Sequence, residues 1–184
     1  MNKDKLYYAK PDQSYKEHVL LTYKVWKQII KSVKNLIDRL ASKMKFDVNE
    51  FYKLSLITVV MHDIGKLIPQ FQDNMQAVRE HEVIDYSSNY RHELCSLPYL
   101  FYYKNQMIND KSLTFPYELF AVAGHHKRLD ISQTAFEREK FAKEQPLIDD
   151  DALMHAISVM AKILDYEGIV LDTDHKPPSK YNGH

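Results

Sequence analysis

Glycine is scarce in this chain, with four in 184 residues. That argues against a turn-rich all-β protein and in favour of helices. Cysteine is scarcer still. Cys95 is the only one, which excludes an intrachain disulfide framework and a thiolate-rich zinc site, and points to a reducing compartment. A long hydrophobic run is also missing. The longest, Leu56 to Met61, is interrupted by Thr58 and is far too short to span a bilayer. The opening Met1-Asn2-Lys3-Asp4-Lys5 lacks the apolar core of a signal peptide. A soluble, cytoplasmic protein without a membrane partner is expected. An excess of one charge is absent too, since 25 Lys and Arg balance 25 Asp and Glu. No global basic field draws nucleic acid in, so any attraction for phosphate has to be local.

What is present is ordinary globular material, 45% hydrophobic and 27% charged, enough for one domain with a real core. Helical periodicity dominates. Val19, Tyr23, Trp26, Ile30, Val33, Ile37 and Leu40 alternate at spacings of four and three, predicting a long helix from about Tyr15 to Ser42. Ser14 and Glu17 form a capping box for it. A second helix is predicted over Asn49–Met61, capped by Asp47 or Asn49, with Phe51, Leu54, Ile57 and Met61 inward. A short helical piece follows around Pro69, then a polar stretch from Asp73 to Tyr90 that reads as loop with some helix. Leu94, Leu97, Leu100 and Phe101 predict a helix over Arg91–Tyr103. Pro116–Ala123 reads as a short buried helix ending at Gly124, and Asp130–Lys143 as a loop or short amphipathic helix. The last helix starts near Asp149–Asp151, and its stripe of Leu153, Ile157, Met160 and Leu164 is expected to carry Asp165 inward. The tail from 173 to 184, with Pro177-Pro178, reads as a linker or unstructured end of a domain spanning 1–172. The expected fold is all-α, a helical bundle.

The chemistry concentrates in His62-Asp63-Ile64-Gly65-Lys66, together with His18 upstream and Arg91-His92-Glu93, His125-His126 and Asp165 downstream. Neutral imidazole and carboxylate are good ligands for divalent transition metals. Five histidines and two aspartates suffice for two ions. The expected assignment gives one ion His18, His62, Asp63 and Asp165, and the other Asp63, His92, His125 and His126, with Asp63 bridging. Such a pair serves phosphate-ester hydrolysis, lowering the pKa of water and neutralising phosphate oxygens. Asp63 and Lys66 are the expected catalytic residues, with Lys66 steadying a phosphate or holding a ligand carboxylate. Arg91, Lys127 and Arg128 are candidates for guiding a phosphodiester backbone. Imidazole-rich coordination favours Mn, Fe, Co, Ni or Zn over Mg. Tyr86, Tyr90 and Tyr103 are candidate stacking platforms for bases, although amphipathic packing explains each of them as well. His81, His155, His175 and His184 are read as non-ligands, and Cys95 as a small buried hydrophobe.

This order of motifs resembles the HD superfamily of metal hydrolases, and in particular the HD nuclease domain of the CRISPR-associated helicase-nuclease of type I systems. The similarity rests on His62-Asp63-Ile64-Gly65-Lys66 running on to Phe71-Gln72, on Arg91-His92-Glu93 with Ser96, and on Ala123-Gly124-His125-His126. It extends from His18 to Asp165. The family's late aspartate usually follows an alanine, whereas here the context is Leu164-Asp165-Tyr166-Glu167, so Asp172 and Asp174 are contenders for that position. The resemblance implies an HD-domain helical bundle with the metal site in its core, acting as a single-stranded DNA nuclease. It also implies work beside a superfamily 2 helicase fed by an RNA-guided CRISPR surveillance complex. No Gly-x-x-x-x-Gly-Lys-[Ser/Thr] loop occurs here, so that helicase is expected as a separate chain or a missing part of this one. Two other functions fit the same residues: a phosphohydrolase for nucleotides or other small phosphate esters, and a module in which metal only ties helices together.

Overall fold

Ser14 accepts a hydrogen bond from the Glu17 amide, and the Glu17 carboxylate accepts from the Ser14 amide at 2.9 Å. This reciprocal cap starts α1, Tyr15–Met44, which ends where Lys45 turns left-handed and its amide returns to the Ala41 carbonyl. Asp47 caps α2, Val48–Met61, accepting from the amides of Asn49 and Glu50. A 3-10 helix, Ile64–Leu67, then leads into α3, Pro69–Arg79, with proline in the first turn, where its missing N–H costs nothing. Three further helices follow among the described residues: α4, His92–Met107; α5, Tyr117–Gly124; and α6, Asp150–Tyr166, capped by Asp149. The computed structural model describes residues 6–84, 90–107, 117–126, 147–173 and 177. The expected loop or helix over Asp130–Lys143 and nearly all of the expected 173–184 tail lie outside them.

Helix α2 is the centre of the bundle. It packs against α1, α4, α5 and α6, and Leu54, Leu56, Ile57, Val60 and Met61 are all buried. A helix buried on more than one face carries no clean amphipathic stripe, which is why Leu56 and Val60 escape a one-face reading. Each such side chain contributes about 1.5–3 kcal/mol by leaving water. Truncating Ile57 to alanine would cost roughly 2–5 kcal/mol, a large share of a domain's net stability. From α6, the expected stripe of Leu153, Ile157, Met160 and Leu164 is buried in the same core.

The all-α expectation holds apart from one two-stranded antiparallel hairpin that the sequence reading missed: β1, Tyr8–Lys10, and β2, Gln13–Ser14, joined at Pro11-Asp12. Pro-Asp is a turn signal. Three further differences have physical causes. Helix α3 runs to Arg79, well into the stretch expected to be mostly loop. It is pinned by Gln72, which bonds the Tyr8 backbone in both directions, and by Arg79 stacked 4.2 Å from the Tyr8 ring centroid. Helix α4 buries Cys95, Ser96, Tyr99, Leu100 and Tyr103, while Phe101 is exposed. Its inner face is set by His92, one turn from Ser96, rather than by the leucine spacing. Tyr103 is fully buried and therefore unavailable for base stacking, while Tyr86 lies outside the described residues. On α1, Leu40 faces solvent, unlike Val19 in the expected stripe.

Candidate metal centre

Asp63 sits where α2 ends. His62 is the helix C-cap, and Asp63 follows at φ −112° and ψ 15°, just outside the helix. The 3-10 turn then presses against the start of α4. A Cβ on Gly65 would lie 2.0 Å from the His92 carbonyl oxygen and 2.8 Å from the Ser96 amide. Only glycine permits that approach. The Gly65 amide donates to Ser96 Oγ at 2.9 Å, and the Ser96 hydroxyl donates to the His92 carbonyl at 3.0 Å. One glycine and one serine thus fix the distance between the His62-Asp63 pair and His92. Gln72 ties the same turn to the hairpin, donating to the carbonyls of Lys66 and Tyr8.

Asp63 is only 2% exposed, and its two oxygens face different partners. Oδ2 lies 2.7 Å from His18 Nε2, 3.2 Å from His62 Nε2 and 2.7 Å from Lys66 Nζ. Oδ1 lies 3.2 Å from both His92 Nε2 and His125 Nε2. His126 completes the second group, its ring centroid 4.0 Å from that of His125 and 4.9 Å from that of His92. Two sets of ligand atoms each converge within 4.8 Å: His18, His62 and Asp63 in one, and Asp63, His92, His125 and His126 in the other.

The far nitrogens explain why these rings point inward. His62 Nδ1 donates to the Val59 carbonyl at 2.7 Å and His125 Nδ1 to the Val122 carbonyl at 2.6 Å, while His18 Nδ1 meets Gln13 Oε1 at 3.0 Å. An oxygen that only accepts fixes the proton on Nδ1 and leaves Nε2 with a lone pair aimed at Asp63. Lone pairs and a carboxylate repel each other, so the pocket is built to gather positive charge. The buried Nε2 atoms of His18 and His92 lie close to Asp63 yet make no hydrogen bond. Buried, unsatisfied imidazole nitrogens grouped about a carboxylate fit a divalent transition metal.

The family model for the Cas3 HD domain matches residues 14–180. The chain belongs to the Cas3 HD-domain family. It is a metal-dependent HD hydrolase from a CRISPR-associated context. A comparison with curated proteins finds no match. Among solved structures, the CRISPR-associated Cas3 HD domain protein from Methanocaldococcus jannaschii is similar, at 21% identity with a TM-score of 0.59. The alignment covers 92% of this chain and 89% of that one. At that identity the likeness speaks for the fold.

Electrostatics in this HD centre follow from the packing. Burial alone would raise the Asp63 carboxyl, but the imidazoles of His125, His18, His62 and His92, where they carry a proton on Nε2, donate to it, outweigh burial and hold the group far below the usual carboxylate range. His125 is lowered by burial and raised more by its bonds to Asp63 and the Val122 carbonyl, with a net rise. Burial and the neighbouring His125 and His92 push His126 down, so it stays neutral and ready to ligate.

The remaining expected residues fall as follows. Lys66 is buried and points at the Asp63 carboxylate rather than at open space, with Phe71 beneath its ammonium at 5.9 Å. Arg91 is also turned inward. Its Nε donates to Glu93 Oε1 at 2.8 Å and a terminal nitrogen donates to the Ala123 carbonyl at 3.0 Å, which ties the start of α4 to the end of α5. Glu93, 3% exposed, has an oxygen 3.6 Å from His92 Nδ1. Asp165 does not follow Leu164 inward. It is exposed, because one helical step rotates it about 100° away from the core stripe. It stands outside both ligand groups, as does exposed Asp172. Asp174, Lys127 and Arg128 lie outside the described residues. His81 is exposed, and His155 packs on Tyr7 at 5.2 Å between ring centroids. Gln13 was missed altogether, because only the hairpin brings it to His18, and the only sequence hint was its place just before the α1 cap. Among the described residues no helix is long and apolar enough to cross a membrane.

Proposed function

We propose that this chain hydrolyses phosphodiester bonds of single-stranded DNA with two divalent transition-metal ions, as the nuclease of type I CRISPR interference. The observation that carries the proposal is the divided carboxylate of Asp63, one oxygen facing His18 and His62, the other facing His92 and His125. His18, His62 and one oxygen of Asp63 would hold one ion, and the other oxygen with His92, His125 and His126 would hold a second. When bound, such a pair supplies an activated water and neutralises charge on the phosphate oxygens. The chain's own part is orientation. Lys66 and the Gly65–Ser96 contact hold Asp63, Gln13 holds His18, and Arg91 with Glu93 holds His92 against α5. Lys127 and Arg128, directly after the paired imidazoles in sequence, guide the phosphodiester backbone. A superfamily 2 helicase, separate from this chain or continuous with it, delivers the strand displaced by an RNA-guided complex.

The test is cleavage of end-labelled single-stranded DNA with Mn, Co, Ni, Fe or Zn, run beside mononucleotides and cyclic nucleotides. The proposal expects metal-dependent DNA cleavage and little release from the small esters. Fast turnover of the small esters with intact DNA would transfer the same site to a nucleotide phosphohydrolase. A folded, metal-loaded protein inert on all of them would leave the metal a purely structural role.

A further inference from the structure

Tyr15 opens α1 directly after its cap, and its amide donates to the Tyr7 carbonyl at 2.8 Å. The side chain is fully buried, yet its hydroxyl makes no hydrogen bond among the described residues. A hydroxyl placed in this way has given up its water without a protein partner to replace it. Native proteins keep few such groups, and each needs an explanation. Packing alone would be served by phenylalanine, which has the same ring without the polar atom.

The surroundings narrow the explanation. Tyr15 stands three residues before His18, so the two side chains leave α1 about one turn apart and about 60° from each other around the axis. His18 Nε2 lies 2.7 Å from Asp63 Oδ2. On α6, the His155 ring lies 6.4 Å from the Tyr15 ring. Burial first, and the negative charge of Asp63 second, push the Tyr15 phenol well above its ordinary range. The group keeps its proton and is a donor beside the metal centre. Asp63 does not need that donor. Its Oδ2 already faces His18, His62 and Lys66, and its Oδ1 faces His92 and His125. The two sides of Asp63 differ in ligand number. The side nearest Tyr15 offers His18, His62 and Asp63, and a site with three protein ligands takes water as its fourth.

We propose that Tyr15 is a positioning residue of the metal centre, whose hydroxyl donates to the water that completes the set of His18, His62 and Asp63. The inference rests on the two-ion reading above, but not on which phosphate ester is cleaved. A donor at that point orients the water and favours its hydroxide form, because a hydrogen bond to an anion is stronger than one to a neutral oxygen. Tyr15 thereby joins the outer partners that tune a metal site.

Tyr15→Phe separates this role from packing. Without metal, the variant loses a hydroxyl that had no partner, and its melting temperature should rise by about 2–4 °C. In a Mn titration followed by calorimetry, the weaker of the two positions should lose about tenfold in affinity, with the tighter one unchanged. Tyr103→Phe is the control. That hydroxyl is also buried and unbonded among the described residues, but its phenol is pushed up by burial, Tyr102, Tyr99 and Asp172 rather than by Asp63. Its removal should raise the melting temperature in the same way and leave both affinities alone. A lower melting temperature for metal-free Tyr15→Phe would mean that the hydroxyl has a partner before metal arrives. Unchanged affinity at both positions would mean that it serves neither ion. Either result overturns the proposal. So does a phenolate-to-iron absorption band in the Fe(III)-loaded wild type that Tyr15→Phe lacks, since Tyr15 would then be a direct ligand. A wild type that holds a single ion would overturn the two-ion reading and this proposal with it.

Discussion

The two sides of Asp63 are built differently. Around Oδ1 stand three imidazoles, His92, His125 and His126. Around Oδ2 stand two imidazoles and the Lys66 ammonium, which is already 2.7 Å from the oxygen. One side has four protein ligands and an uncompensated carboxylate oxygen. The other has three, with a resident positive charge that any ion must share. Coulomb repulsion in a buried pocket is far stronger than in water, so the two positions should differ in affinity, with the His92–His125–His126 side filling first. The three-ligand side keeps more room for water or substrate, as catalytic positions do, whereas closed sites are structural.

The sharpest break in this comparison is the residue both sides share. Asp63→Ala should reduce metal-dependent cleavage to background and remove tight binding at both positions, with helicity by circular dichroism retained. A variant that still holds two ions would dissolve the bridging role. The next largest effect should come from pH. Protons compete for the imidazole nitrogens, so metal affinity should fall about tenfold per unit for each proton displaced once pH drops below about 6.5. His125 and His126 move in opposite directions, so His125 takes its proton first. The sign for stability follows. With its pKa raised in the fold, His125 stabilises the metal-free protein below its unfolded value, and that contribution is lost as pH rises through the folded one. Melting temperatures without metal should therefore decline from His125 as pH rises, while the stabilisation gained on adding metal should increase. Calorimetry across that range reads both slopes.

Gly65→Ala acts on both sides through the backbone. The added methyl would meet the His92 carbonyl at 2.0 Å, so α4 must move, at about 3 kcal/mol. The melting temperature should fall roughly 6–12 °C, and both metal positions should weaken together. Gln13→Ala is confined to one side. Removing the partner of His18 Nδ1 should cost about tenfold in metal affinity at the three-ligand position alone. Equal loss at both positions would mean the two sides do not act separately.

Most of this arrangement was readable in the residues. His62-Asp63, His92 and His125-His126 stand at helix ends predicted from periodicity and capping, and a bundle brings such ends together. At Gly65, directly after the helix-ending His-Asp pair, glycine suits either a helix break or a tight backbone approach, and the structure shows the close approach to α4. The failures share one cause. Asp165 was assigned from the stripe beside it, but a neighbour on a helix points about 100° away, and the stripe itself took the interior. Arg91 read as a candidate for guiding a phosphodiester backbone, a role that needs an outward-facing cation. Its burial depends on Glu93 and on the Ala123 carbonyl, an acceptor supplied from 32 residues away. Gln13 was invisible because its contact depends on a hairpin, and Leu40 was placed in the α1 core stripe by spacing alone although it is exposed. Contacts made by tertiary geometry leave little trace in local pattern.

The central claim, that one carboxylate divides two unequal metal positions, is tested most directly by a calorimetric Mn titration with elemental analysis of the same sample. The account predicts two ions per chain binding with different affinities, the tighter lost in His126→Ala and the weaker in His62→Ala. A single ion in the wild type, or the same class lost in both variants, would contradict it.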